Sequence, residues 1–411
     1  MGQLPKQNQL LLPLLEALRD AGGSAKPSEL YAAVAEKIAL PNWLRELRAL
    51  AGKAGEINLW ERRLRNTRQY AATHGLIEND PKRRRTNVWE LTDSGKKSLR
   101  NCKPGIVITV FTTTLGTAIW ATAESALQFI DDSSIHLILT SPPYPLTTKK
   151  EYGNLDPQAH VEWLTQLASG WKDKLTDNGS LVLNLADAYN PGNPSISLYQ
   201  ERLLINLCDE LGYSLAQKFY WENPAKMPCP AEWVCLKRIR TISSVEQIYW
   251  LTKNPHTATA NNKNILRPYS ASMRNRIAQG GEALSQKRPS GFKLKKGAFN
   301  KDNGGSIPHN LIIASHTESN DSYKKLSKER GLPIHPARFP SAIPAIFIPF
   351  LTNPGDITWD PMAGSGVTAN IAEQLGRRWI INDRSLTYLQ GAALRFNDNP
   401  SLKTYFHELA A

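Results

Sequence analysis

At 411 residues, 41% of them hydrophobic, the chain is long enough for two domains and apolar enough to bury a core in each. No apolar run reaches bilayer length, and Pro13, Glu16, Arg19 and Asp20 interrupt the apolar stretch 10–18 where a signal peptide would stand, so a cytoplasmic protein without membrane contact is expected. Fifty Lys and Arg against 37 Asp and Glu leave a net charge of +13, which points to a polyanionic partner but leaves DNA, RNA and an anionic membrane surface open. The four cysteines, Cys102, Cys208, Cys229 and Cys235, form no CxxC pair, and no His stands at zinc spacing, so neither a disulfide framework nor a metal site is expected.

Leu10, Leu11, Leu14, Leu15 and Leu18 recur at helical spacing, and Gly22-Gly23 ends that helix. A second helix begins at Pro27-Ser28, with Leu30, Val34 and Ile38 on one face. A third is predicted over 59–72. There Trp60, Leu64, Thr67 and Ala71 turn toward a core, while Arg62, Arg65 and Arg68 line another face. Two strands, 76–78 and 88–91, flank the basic turn Lys82-Arg83-Arg84-Arg85. Three helices and a basic hairpin follow the order of a winged helix, whose third helix enters a DNA groove while the wing touches phosphate. With Leu11-Leu12-Pro13-Leu14-Leu15, Gly75-Leu76-Ile77 and Trp89-Glu90-Leu91-Thr92-Asp93-Ser94-Gly95, the stretch resembles the N-terminal domain of Mrr-type restriction proteins. That likeness implies DNA contacts from Arg62, Arg65, Arg68, Arg83, Arg84 and Arg85. A solvated helix face and a homodimer contact are the alternative uses of this domain, which spans 1–104 with its linker.

Residues 105–411 form the second expected domain. A strand at 107–111 and a helix at 124–130 lead to the apolar strand Ile135, Leu137, Ile138, Leu139 and then to Ser141-Pro142-Pro143-Tyr144. Two prolines cannot continue a ladder, so the chain makes a rigid turn at the carboxyl end of a strand, the edge where α/β sheets bind ligands. A helix over 159–175, a turn at 177–180 and a strand over 181–185 follow. The alternation of strands and helices predicts a doubly wound α/β sheet.

Thr140-Ser141-Pro142-Pro143-Tyr144 followed by Gly179-Ser180-Leu181-Val182-Leu183-Asn184 resembles the DNA amino-methyltransferases of the β arrangement, especially those forming N4-methylcytosine. Adenine-specific relatives usually carry Asp at the place of Ser141. The resemblance implies a Rossmann-like, circularly permuted, seven-stranded mixed sheet, S-adenosylmethionine as methyl donor and duplex DNA as substrate. It also implies a restriction-modification setting, with a cognate endonuclease acting as a separate chain. The chemistry suits the residues. An exocyclic amine is a weak nucleophile because its lone pair is delocalised into the ring. The Ser141 side chain and Pro142 carbonyl would accept its hydrogens and aim the lone pair, Pro143 would stiffen the turn, and Tyr144 would stack on the flipped base. An adenine-N6 enzyme, an RNA methyltransferase and a DNA-binding regulator without catalysis are the alternatives.

A helix over 203–211 and strands over 215–221 and 245–251 follow. The segment 252–310 carries eleven Lys and Arg, including Arg274, Arg276, Lys293, Lys295 and Lys296, against Glu282 and Asp302. It sits where this arrangement places its target recognition segment; a disordered basic insertion is the bland alternative. His335-Pro336-Ala337-Arg338-Phe339-Pro340 resembles the element beside the methionine end of the bound donor, implying roles for His335, Pro336 and Phe339. A helix over 343–351 and a strand over 357–359 then reach Asp360-Pro361-Met362-Ala363-Gly364-Ser365-Gly366-Val367-Thr368, and Asp383 ends the next strand. Gly364 and Gly366 let backbone approach a ligand closely, and a carboxylate at 383 suits ribose hydroxyls. The resemblance assigns Asp360, Pro361, Met362, Gly364, Ser365, Gly366, Thr368 and Asp383 to the donor, with Asp360 facing its amino acid end. Met362 stands where phenylalanine is usual, and Asn382-Asp383 replaces a hydrophobic-Glu ending.

Overall fold

Helix capping and apolar spacing shape the first hundred residues of the computed structural model, which describes residues 4–50, 55–79, 88–98, 105–145, 155–287, 289–316, 322–338 and 340–406. Helices Gln7–Asp20, Pro27–Lys37 and Leu59–Thr73 pack together, and the Asn58 side chain caps the third by accepting the Glu61 N–H at 3.0 Å. Trp60, Leu64, Thr67 and Ala71 are buried, as their spacing requires. Strand β1 (Ser24–Ala25) pairs antiparallel with β4 (Trp89–Glu90), and the expected strand 76–78 is reduced to a bridge of Ile77 to Leu91, the basic turn 82–85 lying outside the described residues. Between helices lies an unexpected hairpin, β2 (Arg48–Leu50) with β3 (Glu56–Asn58). The first helix is buried continuously from Leu10 to Leu18 because it is covered on two sides. One side is its own domain. On the other, Asn8 donates to Thr109 at 3.2 Å and Gln9 donates to Tyr405 at 3.2 Å, both on the large sheet's edge.

That sheet has ten strands: β5 (Ile108–Thr112), β6 (Gly116–Trp120), β7 (Ile135–Thr140), β8 (Leu175–Leu185), β9 (Ser214–Glu222), β10 (Val245–Thr252), β13 (Leu311–Ile313), β14 (Ile357–Asp360), β15 (Arg378–Asp383) and β16 (Lys403–Thr404). Their spatial order is β13-β9-β10-β8-β7-β14-β15-β6-β5-β16. The expected seven are the run from β9 to β6; β13 extends one edge, and β5 with β16 the other. Strands β8, β7, β14, β15 and β6 run parallel, while β10 is antiparallel to both neighbours. Because β7 lies beside β14, the early proline turn and the late glycine loop emerge side by side.

Local departures have local causes. The turn expected at 177–180 lies inside β8. Ile135 pairs with Leu175 and Leu137 with Ser180, so the polar residues between bulge out of a continuous strand. The helix expected over 124–130 forms only at Ala123–Ala126. The 203–211 helix starts earlier, at Tyr199, and finishes as a π-helical turn, Asn206–Glu210. Within 252–310 the chain forms the helix Ala271–Ala278 and a hairpin of β11 (Gln286–Lys287) with β12 (Lys293–Leu294). Apolar packing on both sheet faces centres on Trp120, Trp171, Trp359 and Trp379, all fully buried.

Candidate active site

The carboxyl ends of β7, β8, β14 and β15 and the first residues of antiparallel β10 meet at one edge of the sheet, around a cavity of about 1280 Å³. Ser141, Pro142, Pro143 and Tyr144 line one part of it. Met362, Gly364, Ser365 and Asp383 line another, with His335 and Pro336 above them. Two loops distant in sequence therefore share one solvent space, large enough for more than one small ligand.

The proline turn is held at three points. Thr140, the last residue of β7, donates from Oγ1 to Asp360 Oδ1 at 2.8 Å. His160 Nε2 lies 2.9 Å from the Pro143 carbonyl. Burial lowers the His160 pKa to about 4, so the ring is neutral and its Nε2 carries the proton that this carbonyl accepts. Among the described residues no hydrogen bond reaches the Pro142 carbonyl. The third hold is a buried polar cluster. Ser141 Oγ and Tyr144 Oη are 2.8 Å apart, Tyr144 Oη donates to Glu246 Oε2 at 3.1 Å, and Lys226 Nζ pairs with Glu246 Oε1 at 2.6 Å. Asn184 donates to Tyr144 Oη at 2.7 Å and to Glu246 Oε2 at 3.0 Å. Burial, reinforced by the Glu246 charge, pushes the Tyr144 phenol well above its ordinary pKa, so it stays protonated.

The glycine loop is held from behind. Gly364 and Gly366 have φ of 50° and 70°, a region that penalises other residues. A Cβ at Gly364 would lie 2.9 Å from His335 Nε2, and one at Gly366 would lie 2.7 Å from Ala392 Cβ. The Gly364 N–H donates to Asp383 Oδ2 at 2.9 Å, and the Ser385 N–H donates to Oδ1 at 2.8 Å. Burial raises the Asp383 pKa to about 6 against those donors. Burial also keeps His335 neutral, with a pKa near 4, its ring edge-on to Tyr388. Asn382 is completely buried, accepting from the Trp359 indole at 2.8 Å and donating to the Pro361 carbonyl at 2.7 Å. An asparagine before Asp383 thus ties the glycine loop to both strands, which a hydrophobic residue could not.

Asp360 does not face the cavity, contrary to expectation. It is 1% exposed, and besides Thr140 it accepts from the Met362 N–H at 3.1 Å and Thr368 Oγ1 at 2.7 Å. It is a brace, and Thr368 braces with it; Gly366 supplies the turn into the helix Val367–Gln374 and does not line the cavity. Phe339 lies outside the described residues.

Among the arginines expected at DNA, Arg62 and Arg65 are exposed, Arg65 lying 3.6 Å from Glu61. Arg68 is corrected: it is half-buried, and its guanidinium donates to the Glu78 carbonyl at 2.6 Å, tying the third helix to the hairpin. Arg83, Arg84 and Arg85 lie outside the described residues. Arg274, Lys293, Lys295 and Lys296 are exposed, whereas Arg276 is committed to Glu282 at 3.2 Å and to the Phe299 ring. Sequence reading missed His160, Asn184, Lys226 and Glu246. A signal existed for two of them: Asn184 follows Leu183, the partner of Thr140, and Glu246 opens a strand antiparallel to β8.

Residues 135–394 match the DNA methylase family, and residues 8–101 match the Mrr N-terminal domain. The chain is 40% identical over 290 residues to the type II methyltransferase M.PvuII of Proteus hauseri, covering 70% of this chain and 86% of that relative. It is 24% identical over 282 residues to the type II methyltransferase M.BglII of Bacillus subtilis, covering 67% and 69%. A solved structure described as PvuII DNA methyltransferase, cytosine-N4-specific, superposes with a TM-score of 0.57 at 34% identity, covering 70% of this chain and 89% of that one.

Burial raises the Asp360 pKa from 3.8 to about 6, against the hydrogen bonds of Thr368, Thr140 and Met362. The folded state therefore binds a proton more tightly than the unfolded chain. The stability tied to that proton is complete below about pH 4 and is lost as pH rises through about 6. Urea unfolding between pH 4 and 7 should show stability of the wild type falling relative to Asp360→Asn by on the order of 2 kcal/mol. Parallel curves for the two proteins would contradict this.

Proposed function

The chain belongs to the DNA methylase family, and from that premise we propose that it transfers a methyl group from S-adenosylmethionine to the N4 amino group of cytosine in duplex DNA. The observation that carries this reading is the shared cavity, whose lining includes Ser141 and Pro142 of the proline turn together with Gly364 and Asp383. Ser141 at the first position of the turn, together with the cytosine-N4-specific relative, supports cytosine over adenine.

The cradle fits a nucleoside carrying a sulfonium amino acid. Gly364, having no side chain, lets His335 pack directly against the loop, and Asp383, held by the Gly364 and Ser385 N–H groups, keeps lone pairs for two vicinal hydroxyls. Met362, Ser365, His335 and Pro336 would complete the wall, with Pro361 shaping the loop behind it. Bound there, S-adenosylmethionine supplies an electrophilic methyl group. The chain does the rest by position. The Ser141 Oγ and the Pro142 carbonyl accept the two amino hydrogens, drawing the nitrogen toward tetrahedral geometry and aiming its lone pair. Pro143 and His160 keep the turn from yielding, and the Tyr144 ring offers a stacking surface to a base rotated out of the duplex.

Residues 1–104 serve as a winged helix and 105–411 as the methyltransferase, with 252–310 reading the target. Exposed Arg62, Arg65, Arg274, Lys293, Lys295 and Lys296 support phosphate contacts that weaken with salt. Exposed Trp43 and Leu50 support a protein contact on the first domain, with a second copy of the chain as occupant. The type II methyltransferases among its relatives support a separate restriction endonuclease as biological partner. No helix among the described residues is long and apolar enough to cross a membrane, and a cytoplasmic working place suits a genomic substrate.

Labelled-methyl transfer from S-adenosylmethionine to duplex DNA tests the site. Ser141→Ala should lose turnover by about 100-fold or more while retaining DNA affinity in a filter assay. A variant of near-normal turnover would remove Ser141 from catalysis. Calorimetry with S-adenosylmethionine should show Asp383→Asn binding at least tenfold more weakly. Wild-type affinity should fall as pH drops below about 6, because hydroxyl donors prefer the ionised carboxylate. Affinity unchanged by both would contradict the ribose role.

A further inference from the structure

The polar cluster beneath the proline turn gives its carboxylate the most donors when Tyr144 directs its hydrogen at Glu246. Lys226 sits 2.6 Å from Glu246 Oε1, so Glu246 carries a charge and can only accept. Asn184 directs its amide hydrogens at its two nearer partners, Glu246 Oε2 at 3.0 Å and Tyr144 Oη at 2.7 Å, with a longer 3.5 Å approach to Ser141 Oγ. Tyr144 has a single hydrogen, directed at Glu246 Oε2. Ser141, 2.8 Å from Tyr144 Oη, must then be the donor of that contact. With Tyr144 so oriented the serine hydrogen points into the protein, and beside the long contact from Asn184 its oxygen keeps a lone pair for the cavity.

From this chain of donors we propose that Glu246 is the terminal proton acceptor of the reaction, reached from the target nitrogen through Ser141 and Tyr144. The proposal rests on the amino-methylation reading above. As the nitrogen–methyl bond forms through the nitrogen lone pair, the electron pair of the breaking carbon–sulfur bond stays with sulfur, and the nitrogen becomes positively charged. It gives a proton to Ser141 Oγ as Ser141 gives its own to Tyr144 Oη, and the phenol gives its own to Glu246 Oε2. The serine and the tyrosine end unchanged, Glu246 ends as a neutral acid, and the methylated amine ends neutral. Asn184, an amide, cannot take the proton; it holds the tyrosine and the carboxylate together. The same arrangement explains why Ser141, with its hydrogen committed inward, acts toward the amino group as an acceptor.

The test uses the full chain and the variants Glu246→Gln and Tyr144→Phe. Infrared difference spectra of wild type against Glu246→Gln, without donor or DNA, should show an ionised carboxylate at neutral pH whose band shifts in Tyr144→Phe. A protonated carboxyl, or a band indifferent to Tyr144→Phe, would overturn the proposal. In single-turnover methyl transfer to duplex DNA, the wild type should be the fastest of the three proteins. Both variants should be slower by about 100-fold and should gain rate steadily with pH, as hydroxide replaces the lost acceptor, with donor and DNA affinities unchanged. An active wild type whose Glu246→Gln variant keeps its rate and pH profile would refute the relay alone. A wild type that methylates no nucleic acid would refute the functional reading itself.

Discussion

One hydrogen bond joins the two halves of the catalytic architecture: Thr140 Oγ1 to Asp360 Oδ1, across 220 positions of sequence. It ties the last residue of β7 to the last residue of β14, adjacent parallel strands whose ends carry the proline turn and the glycine loop. The same carboxylate holds Met362 and Thr368, so it sets the opening of the loop and the start of the following helix together. The buried location that weakens Asp360's hold on its charge also keeps water away from these bonds, which strengthens them.

A second theme is charge. The protein is strongly basic, whereas its cavity wall balances Glu124, Glu246 and Asp383 against Lys226, Arg338 and Arg384. The division suits a polyanion outside and a developing cation inside. Exposed lysines and arginines attract the phosphate backbone over long range, while inward carboxylates stabilise positive charge only where the base and the donor meet. Lys226 neutralises Glu246 in the resting protein, which lowers the cost of keeping a carboxylate buried there.

The two loops were readable from sequence because their physics is local. Adjacent prolines end a strand wherever they fall, and two glycines one residue apart after a strand signal a close approach of backbone, which φ of 50° and 70° bears out. The third helix was readable from its period. What escaped is what folding brings together. Asp360 looked like a ligand contact because it opens the glycine loop, but its side chain turns inward to a threonine that no spacing rule connects with it. Arg68 shares the helical face of Arg65, yet a carbonyl on the neighbouring hairpin captures it. The polar run 177–180 reads as a turn by composition and is accommodated as a bulge because β7 and β10 pair on either side. Glu246 and Lys226 gain meaning only from sheet order, since an antiparallel strand between parallel ones delivers its first residues to the catalytic edge.

The central claim is that this site methylates the exocyclic amine of cytosine. Incubating the purified chain with duplex DNA and S-adenosylmethionine, digesting to nucleosides and resolving them by mass spectrometry tests it most directly. N4-methylcytosine as the new nucleoside is the predicted result, and N6-methyladenine or 5-methylcytosine in its place would contradict the account.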